Sequence, residues 1–442
     1  MLPKNTLYQG KKESAPGRRY RTNIQPQSGS SFTPGQTVTI NIPTRANTLL
    51  IPSESTLNFG VAFTAGATAV ANGRWDSCGA HGIIQRVRVY HGSNLLEDID
   101  AYGVLAKVLM DYSAPEDFIK GKGSMMLGTR QDYAVTGTTV VQSVNTGAFI
   151  DADGAINANA TGDLVYYNLN LISILGSLSA QKYLPLFAMT SAPIRLEIQL
   201  VSAPGQAMSA TGALPTTFTV SAVEYVGEFL ELGDSAINTI LQGSSPLQYV
   251  VPSFRNYQWT TTLANNAQIA MPIPAKFSSL KSLFVTSRNS ANANGVLTYY
   301  PLSSNKNGLS QFQFRIGAQV VPSKAPSTNP EFAVEAMKCF ASLADLNHQP
   351  SITNTAFVQN VPVVNADGGL ADSGSFLIGL DCEVYAGADK SEIFQGLNTN
   401  TDDIYLNATY GTLGEAVTYR YDAFANYDQV LVCENGVAYC RF

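Results

Sequence analysis

Along residues 37–42, Thr-Val-Thr-Ile-Asn-Ile, an apolar side chain occupies every second position, and the same period of two returns at 57–63, 83–90, 194–200 and 218–229. Side chains of a strand alternate between its two faces, so each segment reads as an antiparallel strand with one buried side. The order then repeats. Residues 268–273 and 280–286 are early strands, 311–316 (Gln-Phe-Gln-Phe-Arg-Ile) matches 85–90 (Gln-Arg-Val-Arg-Val-Tyr), and 376–384 takes the place of 194–200. Residues 418–424, 429–433 and 437–442 close the series. Within 131–163, 286–307 and 358–374 the alternation gives way to small polar residues, as in long surface loops.

A helical period appears in two places. Tyr102, Leu105, Leu109 and Tyr112 form one apolar stripe over 100–112, and Phe332, Ala336, Cys339, Phe340 and Leu343 form another over 330–346. Asn329 supplies an N-cap for the second and Pro330 its first helical residue. Each helix follows the equivalent strand of its half. Gly, Ser and Pro break the pattern at 232–252, which places the junction between halves there. Helices this sparse do not fit a doubly wound enzyme, in which they alternate with every strand. The expected organisation is a flexible basic arm at 1–31, a first β unit at 32–240 and a second at 241–442.

The 442 residues suffice for two or three domains, and a hydrophobic content of 45% excludes disorder. Charged residues make up 14%, against about 25% in ordinary soluble domains. Such a surface suits a subunit whose flanks are covered by neighbours, because interface cores are depleted in charge; a neutral-surfaced secreted β protein is the other reading. A net charge of −6 argues against a coat of nucleic acid over the whole surface. The first 21 residues differ, carrying Lys4, Lys11, Lys12, Arg18, Arg19 and Arg21 against a single Glu13. That density suits phosphate, of nucleic acid or of lipid headgroups, and equally a solvated tail.

No apolar run approaches the roughly 20 residues of a membrane span, and the first residues lack the apolar centre of a signal peptide. Synthesis without export by the ordinary secretory route is expected. Cys78, Cys339, Cys382, Cys433 and Cys440 are odd in number and lack metal-ligand spacing. If Asn435-Gly436 forms a two-residue hairpin turn, Cys433 lies opposite Ala438 and Cys440 opposite Leu431, so all five thiols are expected reduced.

No active site assembles from the sequence. His81, His91 and His348 stand apart, and neither a nucleophile elbow nor a phosphate loop is present. Asp151-Ala152-Asp153-Gly154 opens like a calcium loop without the closing ligands. Glu97-Asp98 and Asp402-Asp403 are adjacent carboxylates that point apart on a strand. Asn159-Ala160-Thr161 and Asn407-Ala408-Thr409 match the glycosylation pattern, which means little without a signal peptide. The chain is expected to be no enzyme and to use no cofactor.

Phe32-Thr33-Pro34-Gly35 before the first strand, Gly82-Ile83-Ile84-Gln85-Arg86-Val87 with its helix, and Lys182-Tyr183-Leu184-Pro185-Leu186 before 194–200 occur in order. Phe314-Arg315-Ile316-Gly317 and Asn426-Tyr427-Asp428 follow. This series, spanning residues 32–442, resembles the double jelly-roll major capsid proteins of tailless icosahedral viruses, the lineage of adenovirus hexon and of the coat proteins of membrane-containing phages. The resemblance implies an all-β chain of two consecutive eight-stranded antiparallel jelly rolls, each with one helix between middle strands. It implies homotrimers that tile an icosahedral shell, a place in the virion, and penton or minor capsid proteins as neighbours. It also implies an internal arm facing genome or membrane. The loops are short for hexon-like towers, which puts receptor binding by this chain in doubt. The alternative from another class is a non-viral β-sandwich module that binds carbohydrate or acts as an adhesin, for which Trp75 and Trp259 are the candidate exposed aromatics. A polysaccharide-active enzyme on the same frame is the third reading.

Overall fold

A computed structural model describes residues 17–64, 71–129, 133–136, 139–142, 164–179, 182–211, 214–243, 246–293, 300–345, 347–362, 373–384 and 396–442. The first half contributes β1 (Gly17–Ile24), β2 (Thr37–Ile42), β3 (Thr56–Thr64), β4 (Ile84–His91), β5 (Asn94–Asp100), helix α1 (Tyr102–Ser113), β6 (Val165–Leu169), β7 (Ile194–Leu200) and β8 (Thr217–Leu232). A connecting helix α2 (Asp234–Gly243) leads into β9 (Leu247–Thr262), β10 (Gln268–Ile273), β11 (Leu280–Asn289), β12 (Leu309–Ile316) and β13 (Gln319–Val321). Helix α3 (Asn329–Lys338), β14 (Ile378–Asp381), β15 (Ile404–Tyr410), β16 (Thr418–Glu434) and a terminal β17 (Val437–Arg441) complete the chain, with shorter strands and helical turns between.

These strands form two sheets in each half. Their orders are β1–β8–β3–β6 and β2–β7–β4–β5 in the first, and β9–β16–β11–β14 and β10–β15–β12–β13 in the second, where β17 adds to β16. All the pairings are antiparallel. Counted within a half, both read 1-8-3-6 and 2-7-4-5, the eight-stranded jelly roll with its two Greek keys. The helix sits between the fifth and sixth strand each time. In each roll the alternating apolar residues face inward, Val38, Ile40 and Leu196 meeting Phe59, Val61 and Val220 in the first, and Phe312, Phe314 and Leu406 meeting Leu283, Val285 and Tyr421 in the second.

Several expectations change. The counterpart of β7 is β15, not 376–384: β15 pairs with β10 and β12 as β7 pairs with β2 and β4, while β14 occupies the edge position of β6. Both segments alternate, and only their partners distinguish them. Each middle strand also turns back into a hairpin partner, β5 or β13, which the sequence does not announce, β5 because its apolar residues do not alternate and β13 because it is only three residues long. Residues 286–289 belong to β11 and are buried, not part of a loop. Helix α2 lies in the expected junction, where Ile237 is buried and Ile240 packs against the core. Helix α3 ends at Lys338, and its N-cap is Thr328 rather than Asn329. Thr328 Oγ1 accepts from the Glu331 amide (3.4 Å), and the Glu331 carboxylate accepts from the amides of Thr328 (3.1 Å) and Ser327 (2.8 Å), a reciprocal cap.

The turn at Asn435-Gly436 has positive φ at both residues, 52° and 81°, as a two-residue hairpin of this kind requires. It sets Cys433 opposite Ala438 and Leu431 opposite Cys440, the expected register, and all five cysteines are free.

Part of the segment expected as a flexible arm is strand. Residues 17–24 form β1, paired in register with 225–232 of β8. Tyr20, Thr22 and Ile24 alternate inward, with Tyr20 stacked on Phe229 at 5.5 Å, a period masked in the sequence by the intervening arginines.

Candidate functional site

Each histidine is held by structural bonds. His81 is buried, and its Nδ1 lies 3.0 Å from the Tyr102 hydroxyl, which also accepts from the Ile172 amide; burial lowers its pKa to about 4. His91 Nε2 donates to the Met189 carbonyl (3.1 Å) while Nδ1 accepts from the Ala438 amide (3.1 Å), which fixes a neutral tautomer. His348 Nε2 donates to the Tyr112 carbonyl (2.7 Å). Among the described residues, no group of three or more His, Cys, Asp or Glu side chains is placed to hold a metal ion. Asp151-Ala152-Asp153-Gly154, Asn159-Ala160-Thr161, Lys4, Lys11 and Lys12 lie outside the described residues.

One cluster has the outline of a nucleophile with its base. Ser375 Oγ sits 3.2 Å from Lys107 Nζ, and both are buried. The protonation is wrong for that role: burial works against the charge of Lys107, but the Asp111 and Asp76 carboxylates outweigh it and push the amine up to about 12. Lys107 is therefore a cation, 2.5 Å from Asp111 and 3.6 Å from Asp76, and Ser375 donates to Asp111 at 2.7 Å. The cluster is a clamp. Lys107 and Asp111 come from α1 of the first roll, whereas Ser375, and Ser373 bonded to Asp76 at 2.9 Å, come from the second.

More of the interface between the rolls is built this way. Tyr112 donates to the Ser375 carbonyl (2.7 Å) and stacks on Phe340 (5.0 Å). On β5, Asn94 donates to the Ala438 carbonyl (3.1 Å). Glu97 accepts from Ser173 Oγ (2.5 Å) and the Ile174 amide (3.1 Å), and Ser253 of β9 lies 3.4 Å from its other oxygen. Burial raises the Glu97 carboxyl to about 7 against these bonds. Its neighbour Asp98 points the other way and takes a bidentate bond from Arg86, both distances 2.7 Å, so this pair forms no dyad. In the second roll Asp422 is fully buried; burial opposes its charge, but Arg288 and Arg420 outweigh this and hold it ionised.

The surface features are fewer. Arg18, Arg19 and Arg21 are exposed on β1, an edge strand. Arg19 is paired with Glu228 (3.1 Å) and Glu54 (3.6 Å), and the Arg18 guanidinium lies over the Tyr20 ring, 5.9 Å from its centre. Three of the six basic candidates therefore lie on a paired strand. The aromatics expected of a sugar-binding face are committed elsewhere: Trp75 is buried and donates to the Tyr167 hydroxyl (3.0 Å), and Trp259 is half-buried beside Tyr421. A concavity of about 390 Å³ opens beside α3, between Pro322, Lys324, Pro330 and Val334.

No protein-family model matches the chain, and no curated protein matches it in sequence. Solved structures do match. A chain of the PBCV-1 virus capsid superimposes with a TM-score of 0.65 at 11% identity, covering 99% of both chains. The Faustovirus major capsid protein gives 0.59 at 9% identity, over 97% of this chain and 92% of its own. The mavirus major capsid protein gives 0.57 at 9% identity, over 100% and 93%. At such identities the likeness is one of fold: the described residues have a double jelly-roll architecture like that of those proteins.

Proposed function

We propose that this chain is a viral major capsid protein, forming homotrimers with six jelly rolls that tile an icosahedral shell. The observation that carries the reading is the duplicated 1-8-3-6 and 2-7-4-5 strand order among the described residues, in a fold similar to that of capsid subunits over nearly their full length. Two like rolls in one subunit give a trimer near-hexagonal symmetry, the shape a shell lattice packs. On this reading the rolls, expected at 32–240 and 241–442, are built on β1–β8 from residue 17 and on β9–β17 from residue 247, with α2 between them. In this reading the location is the virion, the partners are further copies together with penton or minor capsid proteins, and no small-molecule substrate is involved. The basic segment, Lys4, Lys11 and Lys12 with Arg18 and Arg21, faces the interior and meets phosphate there, of the genome or of an internal membrane.

The test is the solution mass of the purified chain by light scattering, with imaging of the peak. A trimer with a hexagonal outline is expected; a monomer at all concentrations would overturn the reading and favour a binding module. For the basic segment, cleavage by trypsin near residues 11–21 in free protein and protection in assembled particles is expected, and equal sensitivity in both would remove it from the interior.

A further inference from the structure

Where the two rolls meet, the second brings two arginines to one carboxylate. Arg288 of β11 donates to Asp422 Oδ2 from Nε (3.1 Å) and Nη2 (2.5 Å), and to the Pro301 carbonyl from Nη1 (3.2 Å). Arg420 of β16 donates to Asp422 Oδ1 from Nε (3.2 Å) and Nη2 (3.1 Å), and the Asn256 side-chain amide adds a bond to the same oxygen (3.3 Å). The carboxylate is thereby saturated, whereas both guanidiniums keep N–H groups that none of these bonds uses. One negative charge also faces two positive ones. Burial lowers the pKa of Arg288 in spite of Asp422, and Arg420 adds to the fall.

Both arginines line a cavity of about 30 Å³, together with Gln85, Gly103, Val104 and Gln206 of the first roll. Gln206 Oε1 accepts from the Ser202 amide and hydroxyl, both at 3.0 Å, which leaves its Nε2 group as a donor. Gly103 lies in the first turn of α1, where Ala101 offers no side-chain cap, and the Gly103 amide meets no acceptor among the described residues. The carboxylates nearby are committed elsewhere. Asp100 takes the Gln85 side chain (3.2 Å) and the Ala101 amide (2.8 Å), and Asp76 is paired with Lys107; neither lines the cavity.

We propose that this cavity binds one small inorganic anion, of which chloride is the type, and that the anion fastens the first roll to the second. The donors left over come from Arg288 and Arg420 on one side and from Gln206 and Gly103 on the other, so the site is complete only when the rolls are joined. A buried cation without its counter-charge is costly. Water would satisfy the N–H groups but leave the excess charge, whereas a halide satisfies both. The size agrees: a water needs roughly 10–15 Å³ in such a cavity, so about 30 Å³ takes a single halide with little room besides. The site lies within one chain and is independent of assembly into a shell.

The experiment follows thermal unfolding of the full chain while sodium gluconate, whose anion is too large to enter, is exchanged for sodium chloride at fixed pH and ionic strength. The NMR line width of the chloride is recorded over the folded protein. For wild type the melting temperature is expected to rise along a single-site saturation curve, as for any ligand of the folded state, and the line to broaden. Arg420→Gln, at a partly exposed position, removes a charged donor and should weaken chloride binding roughly tenfold or more. Gln206→Glu tests the same site without depending on that variant. It keeps an acceptor for Ser202 and brings a tethered carboxylate to the arginines, so it should melt at or above wild type in gluconate and no longer respond to chloride. A wild-type melting temperature that is equal in the two salts, with an unbroadened line, would overturn the site. So would a chloride response that persists unchanged in Gln206→Glu, which would place the anion elsewhere on the chain.

Discussion

A carboxyl shut away from water sets its own pH scale, and Glu97 is that residue here. Its folded pKa of about 7 lies above the ordinary 4.5, so between these values the folded chain holds a proton that the unfolded chain has released. Stability from this group is complete below pH 4.5 and is lost as pH rises to 7, by about 3 kcal/mol at roughly 1.4 kcal/mol per pH unit. Glu97→Gln keeps an acceptor for Ser173 and Ile174 without the titration. Urea unfolding is expected to find it equal to wild type near pH 4.5 and more stable by about 3 kcal/mol above pH 7; a constant difference across that range would show that Glu97 does not titrate on folding. Lys107→Ala leaves Asp76 and Asp111 buried without their cation and should cost about 3–5 kcal/mol in the same assay. The sequence marked Glu97 only as half of an adjacent carboxylate pair, and Lys107 not at all. Lys107 reads as one more polar position on a helix, and its partner Ser375 is 268 residues away.

At the scale of elements, the sequence announced strands wherever one face of a sheet meets water and the other the core, because only then does composition alternate. Residues 37–42 and 194–200 were plain for that reason. Residues 376–384 were matched to 194–200, and 404–410 was passed over, because alternation says nothing about partners; β1 was hidden because arginines interrupt its pattern. The packing of α3 on β14 was also invisible, though one residue depends on it. At Gly379 a Cβ would lie 2.7 Å from the Glu335 carbonyl oxygen and 2.8 Å from Ala336 Cα, so the helix rests directly on the strand backbone. Gly379→Ala forces the two apart and is expected to cost about 1–3 kcal/mol, seen as a lower denaturation midpoint with an unchanged slope. Thr328→Ala removes the cap of the same helix and should cost about 1 kcal/mol.

For the whole molecule, the duplication was legible and the way the copies meet was not, since the interface is assembled from residues scattered over both rolls. Its buried clamp and stacked rings make the pair one body rather than beads on a string. A protease site inserted between Gly243 and Leu247 is therefore expected to leave the two fragments co-eluting after cleavage; separation on a sizing column without denaturant would show that the connecting helix α2, not the interface, holds them. The terminal hairpin adds a matter of timing. Ala438 supplies both bonds that seat β17 on the first roll, and it follows its partner His91 by 347 residues. At translation rates of about 5–20 residues per second, His91 waits roughly 20–70 s before the strand it bonds exists. A chain that stops before Ala438 keeps the clamp of Lys107 with Ser375 but lacks the bonds to His91 and Asn94. A truncation within β17 is thereby felt at the contact between the rolls, as a looser join rather than a lost fold.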